Sequence, residues 1–553
     1  MRSPTRSVPW LLAAPVSVGA GLLVAVAAWL LPVNLKSVTP ALLAEAGRGT
    51  VTVAALGRQL VEAEKIGPAE LVLAASRAVE APGGPMLATE VAQLAEQQAG
   101  LVAWGGWDPF LEPLFKLRAG DAPPASTPML TFLIPERARE TLRGFLEGSR
   151  SLGVQALLEV RGVEDSGRFV PARAAGGQPL DAIILLTALL YQSENLSAPL
   201  QRELRAAAQT AVATGTLGEL EPFFMDLLSL SQRLNWVQLC ELLRRTNDAK
   251  TVGEFAHLAR VAPDEVALIY AAALFSDSAD RVAAYLIQYG RAGVTDLRLA
   301  LAHGQGAVRQ LLLRQVPVNH DAGPTLGVAA ALALLNPTLT LGFKYLGYVL
   351  GAFLILRGAD RWLFPPLDRT TLALPRAKSG VLALLFAALL VAVTEPFLLK
   401  AAPPSEFQAR LTLPVLVTIS DTPAPATDQK LTHMDTSTLI SVGFFAALQV
   451  AVYLICLAKI REVARQAAPS LLKLRLMENE ENLFDSGLYV GIGGTAAALV
   501  MQVLGLIEPN LLAAYSSNLF GITCVALVKI RHVRPYKRQL IIASQAELQA
   551  AKP

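Results

Sequence analysis

The chain is poor in the groups that carry most protein chemistry. It has three cysteines, Cys240, Cys456 and Cys524, far apart in the sequence. Two of them lie in apolar runs, so neither a disulfide framework nor a zinc pattern is laid out. The five histidines, His257, His303, His320, His433 and His532, are scattered without ligand spacing. No Ser/His/Asp or Cys/His set is placed for nucleophilic catalysis. The carboxylates Glu478, Glu480 and Glu481 are clustered, but in an evidently solvated run. Nothing here supports an enzyme, although active sites assembled from distant residues leave no such trace. No cofactor and no metal are expected. Charge is scarce too: 17% of residues are Asp, Glu, Lys or Arg, against about a quarter in a soluble chain. A net charge of +3 is too small to imply nucleic acid.

Apolar residues fill the space, at 53% of 553 residues and a mean hydropathy of +0.43. They gather in long runs, which implies a membrane protein with a soluble part. A transmembrane helix needs roughly 20 mainly apolar residues. Six stretches qualify: residues 9–33, 339–356, 381–399, 437–458, 487–507 and 511–530. The loop charges give a separate test, because basic residues accumulate on the cytoplasmic side. Arg2 and Arg6 precede the first stretch. Arg357, Arg361, Arg369, Arg376 and Lys378 follow the second, and Lys459, Arg461, Arg465, Lys473 and Arg475 follow the fourth. Lys529, Arg531, Arg534, Lys537 and Arg538 follow the sixth. Six spans with both termini in the cytoplasm fit every loop. The Ala/Leu/Arg-rich composition favours a bacterium, and so an inner-membrane location. The first stretch reads as an uncleaved anchor, residues 1–33. It exceeds the 7–15 apolar residues of a signal peptide, although "AEA" (Ala44–Ala46) offers a small-residue cleavage site. Pro324–Asn336 is apolar but too short to span, and the proline at 337 breaks it from the next run.

Between the first and second spans lies one large extracytoplasmic region. Its periodicity is mostly helical. "TVAALGRQLVEAEKI" and "GPAELVLAASRAVEA" read as a helical hairpin broken at Gly67. Later short amphipathic runs suggest stacked helix pairs in a solenoid-like arrangement. The expected parts are a helical segment 34–125, a mixed segment 126–178 and a helical segment 179–322. In the mixed segment, "MLTFLI" (Met129–Ile134) and Val154–Arg173 around "EDSG" predict a β-hairpin. "DAPPASTP" (Asp121–Pro128) reads as a linker. The membrane region then covers 323–458, a cytoplasmic linker 459–486, the final pair 487–530 and a basic tail 531–553. The linker's Lys473–Asp485 turns from basic to acidic and reads as a solvated helix. The loop Arg410–Asp435 contains a β-prone run, Thr412–Ile419, expected to pack on the large domain.

Two features of the spans invite function. "SGLYVGIGGTAAALVMQVLGLIEPN" opens at Ser486 with Gly487, Gly491, Gly493 and Gly494 before Thr495. A nucleotide loop would need a preceding strand and a lysine, and both are missing. Gly487, Gly491 and Thr495 recur every four residues, so one helix face is small and predicts close helix packing. Lys344 and Glu395 are the clearest ionisable residues inside spans, at similar depth near the outer edge. Charges there pair or snorkel.

"GIGGT" (Gly491–Thr495) followed by "YSSNLFGI" (Tyr515–Ile522) resembles the core pair of the proton-channel family that includes MotA, TolQ and ExbB. The resemblance covers about 45 residues. It implies that Thr495 and Ser516 or Ser517 would face a pore shared with a partner helix carrying a carboxylate. Gly487, Gly491, Gly494, Thr495, Ser516 and Ser517 are therefore candidates for helix packing or an ion path. Lys344 and Glu395 are candidates for an intramembrane ion pair. The expected work is binding and assembly: the large domain meets a protein partner or a second copy, and the spans anchor it in the bilayer. The alternatives are a proton-channel-like subunit, or a transporter or membrane enzyme.

Overall fold

The computed structural model describes residues 9–111, 125–323, 325, 327–363, 373–399, 405–407, 436–503 and 511–550. The chain forms two compact units. One, here the apolar unit, comprises Met1–Ser37, Asp321–Ala401 and Leu416–Pro553; the other, the helical unit, comprises Val38–His320 and Ala402–Val415. The described residues are mostly helical and contain no β-strand.

Helix α1 (Pro9–Trp29) opens the apolar unit. The helical unit follows with α2 (Pro40–Gly47), α3 (Val53–Glu62), α4 (Ile66–Ala78) and α5 (Gly84–Gln97). Next come α6 (Met129–Leu133), α7 (Glu136–Glu147), α8 (Leu152–Glu159), α9 (Gln178–Gln192) and α10 (Ala198–Thr214). It finishes with α11 (Leu220–Ser231), α12 (Trp236–Leu243), α13 (Ala249–Val261), α14 (Val266–Ser276), α15 (Ala279–His303) and α16 (Gln305–Arg314). Caps set many of the boundaries. Thr39, Thr52, Ser197, Asp248 and Ser278 each accept a backbone N–H with the side chain. Asn235 and Gln238 form a reciprocal capping box at α12. At the other ends, Glu64, Glu80 and Glu194 take the left-handed conformation that usually goes to glycine. The next amide then bonds back to Leu60, Ser76 and Leu190 respectively, closing the helix end.

Every residue of α9 from Leu180 to Leu190 is buried. A helix apolar on all sides belongs at the centre of a core. Solenoid repeats touch only their neighbours, and this unit departs from that pattern. Its first helix, α2, packs on the last two, α15 and α16. A bridge joins Val38 to Val318. A methyl at Gly306 would run into the Ala46 carbonyl oxygen. The helical part is therefore closed on itself.

The expected β-hairpin is also corrected. Met129–Leu133 is α6, and Leu152–Glu159 is α8, continued by a 3-10 turn at Val160–Gly162. Gly153, Val154, Ala156, Leu157 and Val160 are all buried, so the run presents a helical apolar face. The β-prone run Thr412–Ile419 and the start of the linker Asp121–Pro128 lie outside the described residues.

In the apolar unit, α17 (Gly327–Leu335) ends at Asn336, and Pro337 opens α18 (Pro337–Leu363). Then come α19 (Ala373–Thr394), α20 (Pro396–Leu399) and α21 (Thr436–Arg465). The linker holds α22 (Ser470–Asn479) and α23 (Glu481–Phe484). The last pair is α24 (Ser486–Val503) and α25 (Leu511–Ala526). A π-helical stretch, Leu527–Val533, joins α25 to α26 (Arg534–Ala550). Among the described residues two helical stretches are long and apolar enough to cross a membrane, Pro337–Asp360 and Val442–Arg465. Only 28% and 22% of their apolar windows are buried, so most of each surface faces outward. Ala14–Trp29 and Leu382–Val391 are shorter apolar helical stretches. Two stretches thus meet the length and composition of a span, where the sequence predicts six.

Candidate functional site: a glycine seam and a buried ionic network

The small face of α24 lies against α25 of the same chain. A methyl at Gly491 would come within 2.9 Å of the Ser517 carbonyl oxygen, and one at Gly521 within 2.6 Å of the Gly487 carbonyl oxygen. At Gly494 it would collide with the Ser517 hydroxyl, and at Gly487 it would press on Cys524 Sγ at 3.1 Å. Only glycine permits this approach, which brings backbone dipoles and side chains into contact. Gly493 has open space beside it and sits off the seam. The hydroxyls bond to the backbone. Ser517 Oγ donates across the helices to Gly491 O at 3.2 Å, and Thr495 Oγ1 donates to Gly491 O at 3.0 Å within its own helix. Ser516 and Ser517 are both buried.

Gln449 of α21 completes the crossing. Its Nε2 donates to Gly487 O at 3.0 Å. Its Oε1 is buried without a partner among the described residues, as is Oδ1 of Asn518. Toward the end of the bundle, Tyr453 bonds His532 at 2.8 Å and Lys529 pairs with Asp485 at 2.7 Å. Sequence reasoning missed Gln449, Tyr453, Asn518 and the π-helical stretch. Polar residues spread over two helices far apart in sequence have no common local pattern.

Lys344 and Glu395 meet in the apolar unit. They are 3% and 1% exposed, and Lys344 Nζ lies 3.6 Å from Glu395 Oε1. Neither depends on the other alone. Lys344 Nζ also donates to Val33 O at 2.8 Å and to Asn34 Oδ1 at 2.6 Å. The Glu395 carboxylate accepts from Leu35 N–H at 2.9 Å and from the Tyr345 hydroxyl at 3.0 Å to each oxygen. Asn34 Nδ2 in turn donates to Ser37 Oγ at 2.9 Å. Buried charges persist only when paired and hydrogen-bonded, and here the ammonium donates two hydrogen bonds and faces the carboxylate at ion-pair distance. The sequence singled out the two charges. It gave no sign of Tyr345 or of residues 33–35, which come from the far end of the chain.

The helical unit holds its own buried charges. Asp181 accepts from Arg139 at 3.0 Å and Arg161 at 2.7 Å. Glu241 is reached by Lys65 at 2.7 Å and Arg245 at 2.6 Å. Burial alone would raise the Glu241 carboxyl, but hydrogen bonds and charge from Lys65 and Arg245 hold it below the usual carboxylate range. Asp296 accepts from the Tyr285 hydroxyl, from Val318 N–H and, at 2.7 Å, pairs with His320. Burial, with Asp296 beside it, pushes the Tyr285 hydroxyl far up. These groups are locked by their partners and tie helices together. Among the described residues no group of three or more His, Cys, Asp or Glu could hold a metal ion.

Compared with family models, curated proteins and solved structures, the chain matches none.

Proposed function

We propose that this is a multi-pass inner-membrane protein whose helical unit binds a protein partner outside the cytoplasm while the apolar unit anchors the assembly. The observation that carries the reading is the contrast in surfaces. The apolar unit turns Leu339, Phe343, Leu346, Leu350, Val450 and Leu454 outward, a face that suits lipid. The helical unit buries most of its apolar residues, with only scattered exceptions such as Met86, Leu152 and Leu313, and closes its ends. In this reading α1, α18, α19, α21, α24 and α25 are the six spans, with both termini cytoplasmic and the helical unit periplasmic. Reporter fusions after residues 36, 370, 405, 468, 508 and 553 test it. Alternating reporter activity, with the 36, 405 and 508 fusions outside, is the expected result; a cytoplasmic signal at any of the three would end it. Purification with a stoichiometric partner tests the binding role.

A second reading, a proton-channel-like subunit, is favoured by one observation. Gln449 Oε1 and Asn518 Oδ1 leave two buried acceptors unpaired beside the seam. Ring-like homo-oligomers with α24 and α25 lining the axis are its expected result. A monomer with Thr495 facing lipid removes it.

A further inference from the structure

Residues 405–407 lie in sequence between α20 and α21, yet they belong to the helical unit. Phe407 is 2% exposed. Its carbonyl oxygen bonds His257 Nε2 of α13 at 2.9 Å, and its own N–H donates to Ser405 Oγ at 3.1 Å. Glu406 pairs with Arg291 of α15 at 3.1 Å. Directly beneath sits Gly290, where α15 breaks helical geometry with φ 57 and ψ −136. Side chains rarely adopt that conformation. A methyl there would also come within 3.1 Å of Ser405 Oγ and 3.4 Å of Glu406 N. The kink therefore makes room for a passing backbone.

These are the parts of a peptide-docking site: an aromatic anchor, a main-chain hydrogen bond, a charge at the rim and a glycine floor. We propose that the α13–α15 face of the helical unit is a recognition groove for a hydroxyl–acidic–aromatic peptide, filled in cis by Ser405, Glu406 and Phe407. A partner protein carrying such a segment competes for it. This rests on the partner-binding reading above and names the surface that does the binding.

The test uses the full-length protein in detergent and a labelled synthetic peptide of residues 402–410. Wild type, with its groove occupied, binds the peptide weakly. Phe407→Ala frees the groove and binds it about tenfold more tightly, because apparent affinity scales with the fraction of open site. Glu406→Arg loosens the segment at its exposed rim without touching the buried ring and gives a smaller gain. Adding Gly290→Ala to Phe407→Ala abolishes the gain. If neither single variant gains peptide binding while retaining the wild-type helical content, the groove does not exist. If a partner co-purifies with wild type in that case, the partner-binding reading survives and only the groove is lost. If the peptide binds the freed groove but no partner co-purifies, the groove stands and the reading built on it fails.

Discussion

In the helical unit, buried carboxylates are answered by long cationic side chains: Asp181 by Arg139 and Arg161, and Glu241 by Lys65 from a remote segment and Arg245 one turn further along. In the apolar unit, helices approach through glycine. A methyl at Gly21 or Gly351 would come within 2.8 Å of the other residue's carbonyl oxygen across α1 and α18, and the same device recurs at Gly487, Gly491 and Gly521. On the membrane reading proposed above, the difference follows from solvent: a unit in water gains by burying side chains, whereas helices in lipid gain nothing by hiding apolar surface from more apolar surface and rely on close contact. The ionic network at Lys344 is the exception in the apolar unit. It supplies there the kind of bridging that the helical unit uses throughout.

Breaking that exception has the largest expected effect. Lys344→Met or Glu395→Met alone strands a buried charge and costs about 3–5 kcal/mol, measured by denaturant titration in detergent. The double variant loses much less than the sum. Strictly additive losses would show that the two charges do not act as a pair. Gly491→Leu attacks the general rule of the same unit. It overpacks the seam at a cost of about 1–3 kcal/mol, whereas Gly493→Leu, one step off the seam, leaves stability within experimental error.

In the helical unit the sharper probe is pH. The Glu241 carboxyl titrates below its ordinary value near 4.5, so the native state binds fewer protons there than the unfolded state does. Its contribution is complete above that ordinary value and is lost as pH falls through the native one. Glu241→Gln should flatten the fall in melting temperature below about pH 4.5; an unchanged acid slope would mean that other carboxylates dominate. The smallest effect is at a cap. Asn235→Ala removes one half of the capping box and a bond to Ser126, costing about 1 kcal/mol by thermal melting.

The sequence made some of this legible for physical reasons. Helical periodicity in the large region was readable because each helix carries its own apolar stripe. The four-residue spacing of Gly487, Gly491 and Thr495 identified a small face, and the structure brings its glycines against Ser517 and Gly521. The first part of the run Val154–Arg173 was misread because Val- and Leu-rich stretches of that length suit strand and helix equally. The choice was made by burial against α9 and α10, which no local pattern encodes. Closure was invisible for a similar reason: Gly47 meets His303, and Val38 meets Val318, across more than two hundred residues of chain.

That closure also makes the helical unit a cassette. The Val38 N–H donates to Pro317 O, and Asn319 N–H donates back to Val38 O, so the chain enters and leaves at neighbouring points. An insert with adjacent ends can be gained, exchanged or deleted without restitching the helices on either side. Replacing residues 38–320 by a short flexible linker should leave a foldable apolar unit. The segment at 405–407 would then have nothing to hold.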